Sequence, residues 1–364
     1  MILKRNRKLL VLMLATFILS SIVFAGKRRF HGLDDAWGPR YSAQPQTVAL
    51  LSSPLTVGVA STGIHRWNRI AINASGLDHT PVAPGENRVF GEQLGPGRAA
   101  RAMAIAHIAI FEAVNAIAGG YQSYTGLARA GAGTSMNAAI AQAAHDTLVA
   151  LFPSQKASFD ELLAEDLGQI ADGFAKADGI TLGRRAAKSI LAQRLDDGSR
   201  QAEPRVGVDF ILSNDPGKWR QDPISLIPLA LGAHWGEVRP FVLLSSNQFR
   251  LPPPPAMDSP EYAAAFNEAK RLGGDGVVTP TERTAEQTEI GIYWAYDGTP
   301  SLCAPPRLYN QIAVQIADQM GSNTVELARL LALMNVAMAD AGIAIWESKY
   351  FYQCWRPITG IREA

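Results

Sequence analysis

Lys349 and Arg356 stand seven residues apart in the string Trp-Glu-Ser-Lys-Tyr-Phe-Tyr-Gln-Cys-Trp-Arg-Pro, residues 346–357. On a continuous helix that spacing places them within about 20° of one another. Two cations on one face repel unless an anion lies between them. A guanidinium that can fork and an ammonium acting as a point charge suit a tetrahedral or trigonal oxyanion. Asn335 and Gly342 extend the same row backwards, the glycine leaving room beside it. Trp346 lies one turn before Lys349, over the same patch. The same spacing also serves a solvated basic face, or two separate ion pairs with Glu347 and Glu363. Pro357 disfavours helical geometry at Arg356, so the face ends where the chain turns.

Other polar residues read as structural. His107 falls on the apolar stripe of a helix and reads as a packed, hydrogen-bonded histidine rather than a ligand. His145 and Asp146 are neighbours on a helix and so are not expected to face each other. Gly-Gly-Asp-Gly at 273–276 lacks the preceding strand and following Lys-Ser/Thr of a phosphate loop, and reads as a turn. No cofactor signal accompanies Lys349 as a Schiff-base lysine. Asn73-Ala74-Ser75 matches a glycosylation acceptor, which a bacterial-looking export signal leaves idle. Nothing in the residue spacing suggests a metal cluster.

The elements that must position the two cations are helical. Asn323 and Glu326 form a capping box for a helix through Tyr352. From Val325 to Trp346 that helix is apolar on nearly every face, interrupted by Arg329, Asn335 and Asp340, and reads as buried on all sides. Upstream, the 3.6-residue period predicts helices over 98–118, 135–152, 154–168, 181–195, 260–272, 281–296 and 306–320. Prolines crowd 199–260, where Trp219, Trp235, Phe241 and Phe249 give a long loop apolar weight to pack. No period-2 run appears, and the fold class is all-α. The expected organisation is a leader at 1–25, an extended arm at 26–62, an N-terminal helical bundle at 63–198, the Pro-rich region at 199–260 and the start of a second bundle at 261–364.

Composition narrows the classes. The chain has 364 residues, 47% of them hydrophobic, with 34 basic and 33 acidic side chains. The apolar fraction excludes wholesale disorder, and the near-balanced charge excludes a strongly basic nucleic-acid binder. Two cysteines, Cys303 and Cys354, are too few for a disulfide scaffold, and whether they pair is open. Lys4, Arg5, Arg7 and Lys8 precede an apolar run, Leu9–Phe24, and then Ala25. That is the pattern of a secretory signal cut after Ala25, with an uncleaved membrane anchor as the alternative. Cleavage removes four basic residues and leaves 30 against 33, a formal charge of −3. The expected location is outside the cytoplasm, periplasmic or secreted.

Residues 346–362 resemble the first signature of the vanadium-dependent haloperoxidases, which share an active site with type 2 phosphatidic acid phosphatases and bacterial class A acid phosphatases. The pattern is Lys, six residues, Arg-Pro, here Lys349 and Arg356-Pro357, followed by Ile-Thr-Gly-Ile-Arg. Further segments resemble bacterial proteins of this group: residues 106–117, Arg-Pro-Phe at 239–241, the four prolines at 252–255, 267–270 and 283–288. The resemblance covers about residues 60–364. It implies a helical bundle of the haloperoxidase and acid phosphatase type, with Lys349 and Arg356 on the oxygens of vanadate and Trp346 in a neighbouring halide pocket. The implied reaction is oxidation of halide by hydrogen peroxide, with a small organic molecule as final acceptor. Phosphate and phosphomonoester hydrolysis belong to the alternative branch. A non-catalytic, anion-binding scaffold is the third possibility, so whether the chain is an enzyme stays open.

Two further signatures of the family do not occur: Pro-Ser-Gly-His, and Ser-Arg with a histidine six residues after the arginine. The six histidines are His31, His65, His79, His107, His145 and His234, all upstream. The resemblance therefore implies an N-terminal portion, truncated at the C-terminus and inactive alone, with the ligand and acid–base histidines expected beyond residue 364. Halide preference and oligomeric state are not legible.

Overall fold

The computed structural model describes residues 63–295 and 306–364. The leader, the arm and Cys303 lie outside the described residues. Cys354 is an exposed free thiol. Among the described residues the elements are ten α-helices and no strand, so the chain is all-α. They are α1 (Gly63–Asp78), α2 (Pro96–Ala118), α3 (Met136–Leu151), α4 (Lys156–Gly168), α5 (Phe174–Gln193), α6 (Pro260–Leu272), α7 (Ala285–Trp294), α8 (Pro306–Gln319), α9 (Thr324–Tyr352) and α10 (Pro357–Glu363).

Local signals set most boundaries. Ser135 caps α3 by accepting from the Ala138 amide, Pro96 and Pro260 occupy first turns, and Asn323 with Glu326 makes the capping box of α9. Two helices are missing from the sequence expectation, α1 and the short α10. A third, α5, begins at Phe174 rather than near 181. Gly179 and Gly183 of this helix serve its packing. A Cβ at Gly179 would lie 2.5 Å from the Ser135 carbonyl oxygen, and one at Gly183 would lie 2.6 Å from that of Ala139. These glycines let α5 lie directly on the backbone of α3.

The central helix is α2, every residue of which is buried from Ala99 to Ala116. Its alanines admit close neighbours on all sides. One apolar core joins Trp67 of α1, Met103 and Ile110 of α2, Ile140 and Leu148 of α3, Ile190 of α5, Ala313 of α8 and Leu331 of α9. Burying each large side chain contributes roughly 1.5–3 kcal/mol.

Helix α9 departs from the expectation of burial on all sides. Leu327, Leu331, Asn335, Ala339 and Ile343 lie on the covered face, while Leu333 is 50% and Ile345 38% exposed on the other. Lys349 continues the exposed stripe and Asn335 the buried seam, because a seven-residue row drifts around a 3.6-residue helix. The expected Asn335–Gly342–Lys349 row is therefore split. Asn335 exchanges two hydrogen bonds with Asn310 of α8, at 3.0 and 2.9 Å, which fully pairs both buried amides across the helix seam. The Asp340 carboxylate accepts from the amides of Phe241, Val242 and Leu243 at 2.6, 2.8 and 3.0 Å. It thereby fastens the Pro-rich segment to α9.

That segment contains a single 3-10 turn, Trp235–Glu237, with Trp235 and Val238 packed on Ile343. Further ties hold it: Glu203 pairs with Arg98 and accepts from the Gly232 amide at 2.6 Å, and Glu347 pairs with Arg250. Residues 199–260 thus form an ordered wrap along α9.

Candidate functional site

Helix α9 ends where Gln353 adopts left-handed geometry (φ 51°) and its amide closes on the Lys349 carbonyl at 2.9 Å. The chain then runs extended through Arg356, the N-cap of α10, with Pro357 in the first turn. Arg356 is therefore not on the helix that carries Lys349. The single-face alignment fails. The extended stretch pairs with the Pro-rich segment: Trp219 donates its amide to the Gln353 carbonyl at 2.6 Å, and Trp355 to that of Gly217 at 2.9 Å.

Both cations are exposed and rest near indole rings. The Lys349 ammonium lies 3.9 Å from the ring centre of Trp346, and the Arg356 guanidinium 6.0 Å from that of Trp219. Trp346 donates its Nε1–H to the Leu231 carbonyl at 3.2 Å, and the Tyr350 hydroxyl donates to the same oxygen at 2.9 Å. Phe210, Trp219 and Tyr350 pack mutually, with ring centres 5.4–5.9 Å apart. Burial pushes the Tyr350 phenol up to about 12, with Glu203 adding to the rise and Arg356 opposing it. The Asp222 carboxyl is held low, first by the amides of Ser225 and Ile224, with the Arg356 charge adding to the effect.

Glu347 and Glu363, the two carboxylates that the sequence offers as partners, bind other arginines. Glu347 takes a bidentate bond from Arg250, which also stacks 3.6 Å from the Phe351 ring. Glu363 pairs with Arg220. Motif reasoning alone named Lys349, Arg356 and Trp346; it did not bring Trp219, Tyr350, Phe210 or Leu231 to them. Aromatic residues between prolines were the available signal, and they said only that the loop packs.

Other candidates lie apart from this group. His107 is fully buried, but neither ring nitrogen has a hydrogen-bond partner among the described residues, so it is packed without being satisfied. Burial pulls its pKa down to about 4. His145 does meet Asp146, Nδ1 to Oδ1 at 2.8 Å, and its Nε2 reaches Asp160 of α4 at 2.9 Å. Adjacent positions allow this because the ring leans sideways between two helices. Burial lowers the His145 pKa, the two carboxylates outweigh it, and the net shift is upward. Residues 273–276 form a turn, with Asp275 accepting from the amides of Val277, Val278 and Thr279. In a cleft of about 480 Å³ lined by Tyr124, Arg194, Arg239 and Phe241, Arg194 is engaged by Asp197 and two backbone carbonyls and Arg239 by the Gln193 carbonyl.

The model of a protein family described as the VCPO second helical-bundle domain matches residues 329–364, the stretch that carries Trp346, Lys349 and Arg356. Vanadium chloroperoxidase of Curvularia inaequalis is 27% identical, over 82% of this chain and 56% of its own length. What the chain is similar to here is the vanadium haloperoxidases. The fold agrees: the crystal structure described as the first bacterial vanadium-dependent iodoperoxidase superposes with a TM-score of 0.67 at 22% identity, covering 83% of this chain and 72% of that one. The chain spans about half the length of its curated haloperoxidase relative.

Vanadate is the group that the names of these similar proteins imply. The donor set fits the group's oxygens by type, with an ammonium at the end of α9 and a guanidinium at the start of α10. The described histidines are engaged elsewhere: His65 with Asp318, His79 with the Ser75 carbonyl and Gly95 amide, His145 with two aspartates, His234 with Glu237, and His107 in the core. The described residues therefore fit the oxyanion and do not supply a nitrogen ligand to it.

Proposed function

We propose that this is an exported haloperoxidase-like protein in which residues 346–356 hold the oxygens of vanadate, halide oxidation needing the histidines of both downstream signatures as well. One observation carries the reading: where α9 gives way to α10 two exposed cations lie against indole rings, Lys349 over Trp346 and Arg356 near Trp219. Vanadate, when bound, supplies the centre at which hydrogen peroxide is activated to oxidise halide. In this chain Arg356 offers a planar fork and Lys349 a point charge, and both neutralise the anion's oxygens as charge builds on them. Trp346 forms an apolar wall beside Lys349, suited to a weakly hydrated halide. Residues 1–364 carry the cations without a histidine in either downstream signature, so the expectation is anion binding without halide oxidation.

Titration calorimetry with vanadate and with inorganic phosphate tests this. Lys349→Ala should weaken binding about 10- to 100-fold, the loss typical of a charged hydrogen bond, with little change in melting temperature. Binding that ignores the substitution sinks the reading. Hydrolysis of phosphomonoesters that vanadate inhibits, with no peroxide-dependent oxidation in a protein carrying both downstream signatures, assigns the site to the phosphatase branch. Export rests on Lys4, Arg5, Arg7, Lys8 and the run Leu9–Phe24. A mature N-terminus at Gly26 is its expected signature.

A further inference from the structure

The Pro-rich segment touches neither Lys349 nor Arg356 by sequence proximity, yet it sets the surface on which each rests. We propose that Trp346 and Trp219 are positioning residues for the oxyanion site, each indole face carrying one cation and the segment 210–232 fixing both rings. This rests on the oxyanion reading above. Lys349 sits 3.9 Å over Trp346, and Arg356 sits 6.0 Å from Trp219, at the outer limit of a cation–π contact.

Neither ring chooses its own orientation. The Leu231 carbonyl holds the Trp346 Nε1–H, and the Tyr350 hydroxyl donates to the same oxygen. Gly232, at φ +76°, lies so close that a Cβ there would fall 2.0 Å from the Trp346 Nε1. Only glycine permits both that backbone conformation and that approach. Trp219 is held by its amide bond to the Gln353 carbonyl and by Phe210 and Tyr350 packed against its ring. Phe210 also meets Tyr350 edge-on at 5.6 Å, so the three rings brace one another.

The consequence is pre-organisation. Long cationic side chains lose rotamer freedom when they close on an anion, and that loss subtracts from affinity. A cation already resting on a fixed ring has less freedom to lose. The two tryptophans therefore raise oxyanion affinity without touching the anion. Trp346 gains a role separate from lining a halide pocket, and Trp219 gains one that the sequence motif does not contain.

Two measurements on the full chain test this. In the anion-free protein, the Lys349 ε-methylene resonance, assigned by its absence in Lys349→Ala, should be shifted upfield by the Trp346 ring current and return to the ordinary lysine position in Trp346→Leu. In calorimetry with inorganic phosphate, Trp346→Leu and Trp219→Leu should each bind about two- to fivefold more weakly, and Phe at either position should restore most of the loss. A Lys349 resonance at the ordinary position in the unsubstituted protein overturns the proposal, whether or not the leucine variants fold. Leucine variants that bind phosphate as tightly as the parent also overturn it. An unsubstituted protein that binds neither phosphate nor vanadate overturns the oxyanion reading itself, and that failure shows in the parent rather than in the variants.

Discussion

Around Gly179 and Gly183 the molecule is held together by backbone meeting backbone, whereas at the end of α9 it is held by rings, carbonyls and charges near the surface. In the first region α5 lies against α3 with no room for a methyl group, and α2 beside them is buried along almost its whole length. In the second, two exposed cations rest on indoles whose edges are fixed by a loop. Dense apolar contact makes the bundle the store of stability, and substitutions there are felt in full. Contacts at the α9 terminus are worth about 1 kcal/mol or less each, so their loss alters how an anion is met before it alters folding. Three substitutions sharpen that contrast.

Gly183→Val should have the largest effect. Its Cβ would fall 2.6 Å from the Ala139 carbonyl oxygen and 2.7 Å from the Gln142 Cβ, so the helices themselves must part. Overpacking that cannot relax costs typically 1–3 kcal/mol, and here a β-branched residue in a helix adds to it. The expected outcome in urea unfolding is a loss of about 3 kcal/mol or failure to accumulate folded protein. A variant as stable as the parent would mean that α3 and α5 are not in contact.

His107 comes next, and its effect appears only in acid. Its folded pKa of about 4 lies below the ordinary histidine value because burial disfavours the charged ring. The unfolded chain takes up the proton first, so this contribution is complete above about pH 6.5 and fades as pH falls towards 4. The accumulated loss is about 3 kcal/mol by pH 4. His107→Leu should flatten the acid limb of a stability–pH curve while leaving the α9 site untouched. An unchanged acid limb would show that the ring finds a partner on protonation.

Much of the scaffold is legible because its signals are local. Asn323 with Glu326, Ser135 and Pro306 each mark a helix start within a few residues. The early start of α5 at Phe174 is not legible, since Gly179 weakens a helix in isolation and is needed here only because α3 lies against it. Helix α9 misleads, since hydropathy records composition and not which face acquires a neighbour. At the site, Lys349 and Arg356 stand out by type and motif. Their supports do not: Leu231 and Trp219 lie more than 100 residues before the groups they hold, and Leu231 acts through its backbone carbonyl, which every residue has.

Gly232→Ala is the smallest perturbation in atoms and the most direct test of the contrast. One methyl group, introduced at φ +76°, costs about 1–2 kcal/mol of backbone strain in any context. It would also fall 2.0 Å from the Trp346 Nε1, so the indole must swing off the Leu231 carbonyl. The ring sits at a partly open surface and has somewhere to go, unlike the helices at Gly183. Stability should therefore drop by no more than the strain, a few degrees in melting temperature. Phosphate affinity should fall as it does in Trp346→Leu, and the double variant should be no weaker than either single, because both remove the same platform from Lys349. Additive losses in that cycle would show that Gly232 and Trp346 act on the anion by separate routes. The α9 terminus would then not be the coupled assembly that its geometry describes.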